Sequence, residues 1–160
     1  MRALSKVLFA ATTLFAFAVS FAAWADFTGK VVGVADGDSI SVLREREHVK
    51  VRLVDIDAPE KGQAFGNRSK QALEVLVKGQ EVRVVERGQD RYHRILGRIY
   101  RGELDVNAEQ VRQGMAWVFR QYNKDATLYP IEAEAKEQKR GLWRDSDPVP
   151  PWEWRKAQPH

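Results

Sequence analysis

Residues 52–60 read RLVDIDAPE, and the architecture around this stretch decides how the rest of the chain must fold. Apolar alternation through residues 48–56 predicts a β-strand. Pro59 restricts the preceding residue to extended geometry, which favours a strand end there. Strict alternation would place Arg52 and Asp57 on opposite faces of that strand. A site that uses both side chains therefore requires a bulge or a bend before Asp57.

The flanking sequence predicts four more strands and three helices. The predicted strands are 28–34, 39–44, 81–86 and 95–100, and the predicted helices are 69–77, 106–113 and 131–140. Residues 148–154 are rich in proline and are predicted to be extended. Five short strands with helices between and after them predict a small closed barrel in an α+β, mainly β, fold.

Several large apolar residues are predicted to form the core of this barrel rather than a site. They are Phe65, Leu73, Leu76, Ile99, Val111, Met115 and Leu142. Trp143, Trp152 and Trp154 could stack on nucleobases. Packing of the proline-rich tail onto the barrel is the use that we predict for them.

The composition is that of a folded globular protein, with 44% apolar and 30% charged residues. Residues 1–25 contain Arg2 and Lys6 and no acidic residue, so the remaining chain has 24 basic and 22 acidic residues. This surplus is too small for bulk charge to bind a polyanion. The absence of cysteine excludes disulfides and thiolate metal sites.

The N-terminus has the pattern of a secretory signal peptide. A short basic start precedes an apolar run that extends from Val7 to about Phe21, and Ala23-Trp24-Ala25 places small residues at the positions read by signal peptidase. The alternative is an uncleaved membrane anchor, but the run is short against the roughly 20 residues of a span. We therefore predict cleavage after Ala25, with the mature protein in the periplasm or the medium.

The acidic and basic side chains near residues 52–60 could supply phosphodiester chemistry. Two aspartates and a carbonyl can hold a hard divalent cation, two arginines can clamp a phosphate, and a glutamate can accept a proton from water. Each piece also has a purely structural interpretation. Asp36-Gly37-Asp38 is typical of a turn, and strand arginines are usually solvated or paired.

Three motifs together resemble the signature of the thermonuclease (staphylococcal nuclease-like) family. They are DGDS at residues 36–39, RLVDIDAPE at 52–60 and RYHR at 91–94. Residues 107–116 resemble the second helix of that family, and GLW at 141–143 resembles the end of its last helix. The resemblance covers residues 28–154, between the predicted signal peptide (1–25) and a polar tail (155–160). It implies a five-stranded OB-fold barrel with about three helices.

The resemblance also implies an activity, a calcium-dependent nuclease that cleaves DNA and RNA and leaves 3′-phosphate ends. Asp38 and Asp57 match the side-chain calcium ligands, and the carbonyl of Ala58 matches the third protein ligand. Arg52 and Arg94 match the pair that neutralises the pentacoordinate phosphorus. Such a protein would be a monomer with nucleic acid substrates and no stable membrane association after cleavage.

Glu60 matches the proposed general base of the family, which positions the attacking water. Tyr92, Arg120 and Tyr122 are assigned to substrate binding. Of the two tyrosines expected after the second helix only Tyr122 aligns, and Arg120 occupies the other place. His93 replaces a usual glycine, and we interpret it as a turn residue.

The resemblance leaves a second class of function open, a non-catalytic nucleic-acid-binding or protein-binding OB module. Such degenerate domains lose the acidic and arginine residues of the site. This chain retains Asp38, Arg52, Asp57, Glu60 and Arg94, which favours the enzyme.

The predicted signal peptide is tested by the N-terminus of the exported protein. We expect Edman sequencing of exported material to begin at Asp26, because Ala23 and Ala25 supply the small residues that signal peptidase reads. Material that still begins at Met1 would contradict this prediction and indicate a tethered protein.

Overall fold

The structure is a computed structural model that describes residues 26–158, so the predicted signal peptide lies outside the described residues. Eight strands and four α-helices are found in this range. In chain order they are β1 (Phe27–Asp36), β2 (Ser39–Arg44), β3 (Glu47–Leu53), β4 (Ile56–Asp57), α1 (Gly66–Val77), β5 (Glu81–Gln89), β6 (Ile95–Arg101), β7 (Leu104–Asp105), α2 (Val106–Arg112), β8 (Trp117–Val118), α3 (Leu128–Glu137) and α4 (Pro151–Ala157), with a 3₁₀ turn at Gly141–Arg144 before α4. No helix between residues 26 and 158 is long and apolar enough to cross a bilayer.

Five strands close into the predicted barrel. They pair antiparallel in the order β3-β2-β1-β5-β6, and β3 then pairs parallel with β6 to complete the circle. Gly97 lies on β6 where the barrel interior is crowded, and a Cβ there would lie 2.8 Å from Val84 Cγ1 and 3.1 Å from Val51 Cγ1. The five-stranded OB-fold barrel expected from the sequence is confirmed.

The core fills the barrel and continues under α1, α2 and α3. Among the residues predicted to be core, five are buried, namely Leu73, Leu76, Ile99, Val111 and Leu142. Phe65 and Met115 are only half-buried. Trp143 is also buried and belongs to a small satellite cluster with Ala135 and Leu142.

The strand predicted over residues 48–56 is interrupted, as a shared site for Arg52 and Asp57 requires. β3 ends at Leu53, and Asp55 adopts a left-handed backbone with φ of 67°. Such a conformation is uncommon for a residue other than glycine. The Asp55 carbonyl accepts from Phe119 N–H at 2.9 Å and its carboxylate accepts from Lys124 N–H at 2.9 Å. These bonds hold the bend that redirects the chain into β4.

The prediction of an extended tail over residues 148–154 is wrong in its second half, because Pro151–Ala157 forms α4. Pro151 occupies the first turn, where proline lacks only an amide hydrogen that would be unpaired anyway. The Trp152 ring stacks on Phe119 with centroids 5.5 Å apart. This contact with the barrel stabilises a helix in a segment whose proline content predicted an extended chain. It also explains why four α-helices are found instead of three.

Asn107, at the start of α2, connects the helix to the barrel and to the bend. Its side chain is fully buried, its Oδ1 accepts from Ile99 N–H at 3.0 Å, and its Nδ2 donates to the Val54 carbonyl at 2.9 Å. Val54 lies between β3 and the left-handed Asp55. Both the oxygen and the nitrogen of the Asn107 side-chain amide are therefore hydrogen-bonded at the point where the chain turns toward Asp57.

Asn107→Ala should destabilise the protein by about 2–4 kcal/mol, because it leaves the buried Ile99 N–H and the partly buried Val54 carbonyl without partners. Urea denaturation followed by tryptophan fluorescence measures the change. Asn67→Ala is the matched control, since Asn67 is exposed on α1. An Asn107→Ala protein as stable as the control would show that the amide does not hold the bend.

Candidate active site

Arg52 lies at the centre of the site and bonds two buried aspartates at once. Its Nη1 is 2.5 Å from Asp38 Oδ1 and its Nη2 is 2.7 Å from Asp57 Oδ1. The side chains of Asp38 and Asp57 are 2% and 0% exposed, so neither carboxylate has bulk water to compensate its charge. Although burial opposes it, the two carboxylates hold the pKa of Arg52 above its ordinary value.

Strand pairing brings these residues together. Ser39 is the cross-strand partner of Arg52 in the β2–β3 ladder, so Asp38 lies next to the guanidinium. Asp38 Oδ2 accepts from Ala58 N–H at 2.6 Å, which connects the β1–β2 turn to the segment after β4. Burial raises the pKa of Asp38 to about 8, and the nearby Asp36 and Asp57 add to the effect, while Arg52 lowers it.

The turn interpretation of residues 36–38 is also correct, since a turn joins β1 to β2 here. Gly37 is required by close packing, because a Cβ would collide with Ser69 Oγ and lie 2.7 Å from the Ala58 Cβ. Gln110 Nε2 donates to the Gly37 carbonyl at 2.7 Å. The turn is therefore a rigid part of the site.

Glu60 lies near Asp38 and Asp57, but its carboxylate pairs with Arg155 and not with Arg52. Arg155, on α4, donates through Nη1 to Glu60 Oε1 at 2.6 Å and through Nη2 to Asp57 Oδ2 at 2.7 Å. The hydrogen bond to Asp57 is the main cause that raises the pKa of Arg155, with the bond to Glu60 adding to it. A residue assigned on sequence to a polar tail thus lies inside the site.

Arg94 lies at the edge of the site and makes no hydrogen bond to the two aspartates. Its Nε donates to Asp90 Oδ2 at 2.7 Å, and its Nη1 lies 3.4 Å from Ser39 Oγ. Despite burial, hydrogen bonds from Arg94 and from the Tyr92 N–H hold the pKa of Asp90 below its ordinary value. His93 has φ of 60° in the same loop, which agrees with its interpretation as a turn residue.

The three residues assigned to substrate binding form no hydrogen bond or ion pair with Asp38, Asp57 or Glu60. Tyr92 and Tyr122 are each 63% exposed. Tyr122 meets Phe119 edge to face at a centroid distance of 4.9 Å. Arg120 turns toward α3, where its Nη2 bonds Glu132 Oε2 at 2.8 Å. The structure therefore joins Asp38, Arg52, Asp57, Glu60 and Arg155 by direct bonds and leaves Arg120 in a separate ion pair.

Comparison with known proteins identifies the family that carries this arrangement. The family model described as staphylococcal nuclease homologue matches residues 50–145. The chain belongs to the staphylococcal nuclease family. The match includes the end of β3 with Arg52, then Asp57, Glu60 and the Arg94 loop, while Asp38 and Arg155 lie outside it.

Individual relatives cover more of the chain than the family model. A protein of Shigella flexneri named micrococcal nuclease is 49% identical over 150 residues, covering 87% of this chain and 86% of its own length. An Escherichia coli protein named as an uncharacterized endonuclease is 52% identical over 132 residues, covering 82% of this chain and 86% of its own. Protein ParB of Escherichia coli is 45% identical over 161 residues, covering 94% and 91% of the two chains.

The donor set of this family member fits a hard cation. Asp38 and Asp57 offer carboxylate oxygens, which such ions prefer. Burial raises the pKa of Asp38, and a cation beside it would favour its charged form. Within residues 26–158, no three His, Cys, Asp or Glu side chains gather closely enough to enclose an ion. The two aspartates would therefore need main-chain oxygen and water as further ligands.

Sequence reasoning missed Arg155. One local signal could have indicated it, because a proline at the first helical position favours the start of a helix. Recognition of α4 would have placed Trp152 and Arg155 on one helix, three residues apart and so on the same face.

Proposed function

We propose that this chain is a calcium-dependent nuclease that hydrolyses phosphodiester bonds of DNA and RNA and leaves 3′-phosphate ends. The observation that carries the proposal is that the Arg52 guanidinium bridges the carboxylates of two buried aspartates, Asp38 and Asp57. Glu60 follows three residues after Asp57. A phosphodiester hydrolase needs stabilising positive charge and a group that directs water. This family member retains all of these side chains, so the enzyme is favoured over a non-catalytic binding module.

Arg52 and Arg94 are proposed to stabilise the phosphorane-like transition state. Attack on a phosphodiester adds negative charge to the phosphoryl oxygens, and preorganised donors lower the energy of that charge. Arg52 is held in place by two buried partners, so its fork is oriented before substrate arrives. Arg94 is oriented by Asp90 at 2.7 Å. Arginine remains protonated, so both residues act as donors and not as acids.

Glu60 is proposed to orient the attacking water and to accept its proton. The oxygen of that water forms a bond to phosphorus while the bond from phosphorus to the 5′ oxygen breaks. The leaving 5′ oxygen takes a proton from solvent, which yields a 5′-hydroxyl and a 3′-phosphate. The Glu60 side chain is 32% exposed, which leaves its carboxylate accessible to water.

Asp38, Asp57 and the carbonyl of Ala58 are proposed to hold the calcium ion. When bound, the ion would polarise the phosphoryl group and offset its developing charge. Calcium accepts irregular oxygen coordination, whereas magnesium demands near-ideal octahedral geometry. Oxygen-only ligands therefore disfavour zinc, and an irregular set of two carboxylates and a carbonyl favours calcium over magnesium.

Tyr92 and Tyr122 are proposed to contact the nucleic acid, because both rings are exposed and bases stack on such rings. Arg120 is proposed to contribute to substrate binding through its charge. On the basis of the N-terminal leader, we further propose that the mature protein is exported and has no stable membrane association after cleavage. We also propose that it is a monomer.

Cleavage of DNA and RNA by the purified protein should require calcium. We expect strong activity with calcium and none with zinc, because the proposed ligands are all oxygens. Activity with magnesium should be poor, because magnesium demands octahedral geometry that two carboxylates and a carbonyl do not readily impose. End labelling of the products distinguishes 3′-phosphate from 3′-hydroxyl ends. Full activity in excess calcium chelator would overturn the metal assignment.

Glu60→Gln should lower the single-turnover cleavage rate of a short oligonucleotide by about 10²–10⁴-fold, because it removes the charge that orients water. Arg52→Lys and Arg94→Lys should also be slow, since lysine keeps the charge but loses the two-pronged geometry. Arg120→Ala should mainly weaken substrate binding.

Arg46→Lys is the matched control for the two arginine substitutions, because Arg46 is exposed in the β2–β3 turn. It should cleave at the wild-type rate. Wild-type rates in Glu60→Gln and Arg52→Lys would instead overturn the catalytic roles proposed for these two residues.

A further inference from the structure

Arg155 holds a position that the proposed chemistry does not use. Its guanidinium spans Asp57 and Glu60, which are a proposed cation ligand and the proposed water-directing group. Asp57 Oδ2 receives a bond at 2.7 Å from Arg155, and Asp57 Oδ1 receives one at 2.7 Å from Arg52. Both oxygens of this buried carboxylate are thus already engaged by guanidinium groups.

The two arginines differ in how easily they can leave Asp57. The Arg52 side chain is 17% exposed and bonds a second buried aspartate. The Arg155 side chain is 39% exposed, so it can rotate into solvent without opening the core. Its helix has an independent anchor, because Trp152 stacks on Phe119 and meets Trp117 edge to face at 5.8 Å.

A cation that coordinates Asp57 would compete with Arg155. Direct coordination of Asp57 Oδ2 would place a divalent ion within a few ångströms of the guanidinium, and like charges at that separation repel strongly in a site with little water. The ion would also take the lone pair of Asp57 Oδ2 that now accepts the hydrogen bond from Arg155. Of the two guanidinium groups, Arg155 is the one that can move aside.

We propose that Arg155 competes with the cation for Asp57 and Glu60, so that the C-terminal helix sets the cation affinity of the site. In the cation-free protein Arg155 neutralises these carboxylates and occupies Oε1 of Glu60, so this oxygen is not free to accept a proton from water. Cation binding displaces the guanidinium and frees Glu60. This inference rests on the proposed function, because it takes Asp57 as a cation ligand.

Calorimetric titration of calcium into the full-length mature protein tests the proposal without measuring activity. Arg155→Gln should bind calcium about 10- to 100-fold more tightly than wild type, because charge-assisted hydrogen bonds no longer have to be broken. Arg155→Lys should fall between the two, since an ammonium group keeps the charge without the fork. Lys156→Gln is the matched control, because it removes the same charge from an exposed position on the same helix.

A second readout separates competition from a purely structural role. Arg155→Gln should lower the Tm of the protein in chelator, where the guanidinium offsets buried negative charge. In saturating calcium the difference from wild type should disappear, because two ligands that compete for one site are coupled reciprocally. If Arg155 only supported the structure, Arg155→Gln would lower the Tm by the same amount in chelator and in saturating calcium.

The outcomes distinguish this inference from the proposed function. Equal calcium affinity in wild type, Arg155→Gln and Lys156→Gln would overturn the competition while leaving the calcium site intact. Weaker binding by Arg155→Gln would also overturn it and would make Arg155 a support of the site. No calcium binding by any of these proteins would overturn the proposed metal assignment itself.

Discussion

The two-pronged ion pair of the Arg52 guanidinium with Asp38 and Asp57 is the interaction on which the rest of the site depends. Two carboxylates shielded from water are costly unless positive charge and hydrogen bonds accompany them. One planar guanidinium meets both at 2.5 and 2.7 Å. This arrangement connects the β1–β2 turn, β3 and β4, so three separate segments of the chain must be correctly placed for the charges to be compensated. The Ala58 N–H bond to Asp38 completes the connection.

The bend at Asp55 makes this fork geometrically available. In a regular strand, Arg52 and Asp57 would point to opposite faces. The left-handed Asp55 turns the chain between them, and Asn107 and Phe119 hold that turn with hydrogen bonds to neighbouring main-chain groups. An uncommon backbone conformation at a site is retained when the surrounding structure over-determines it. The bend is therefore part of the site as much as the charged side chains are.

Two arginines bring positive charge to the carboxylates, and they differ in how deeply their side chains are buried. Arg52 comes from the barrel and is enclosed by it, whereas Arg155 comes from a short helix at the surface. The region matched by the staphylococcal nuclease family model ends at residue 145, before α4 begins. The barrel thus supplies the more enclosed charge, and under our proposal the C-terminal helix adds a charge that a bound cation displaces.

The sequence by itself determined the barrel and most of the charged side chains of the site. Strand alternation, glycine stops and the RLVDIDAPE stretch are local patterns with direct backbone causes, and the need for a bend before Asp57 followed from the two-residue period of a strand. Only the tertiary structure decided that Arg120 pairs with Glu132 and that Arg155 reaches Asp57 and Glu60. Both outcomes depend on how helices pack on the barrel. The helix at Pro151–Ala157 is stabilised by aromatic contacts with residues more than 30 positions earlier, which local propensity does not encode.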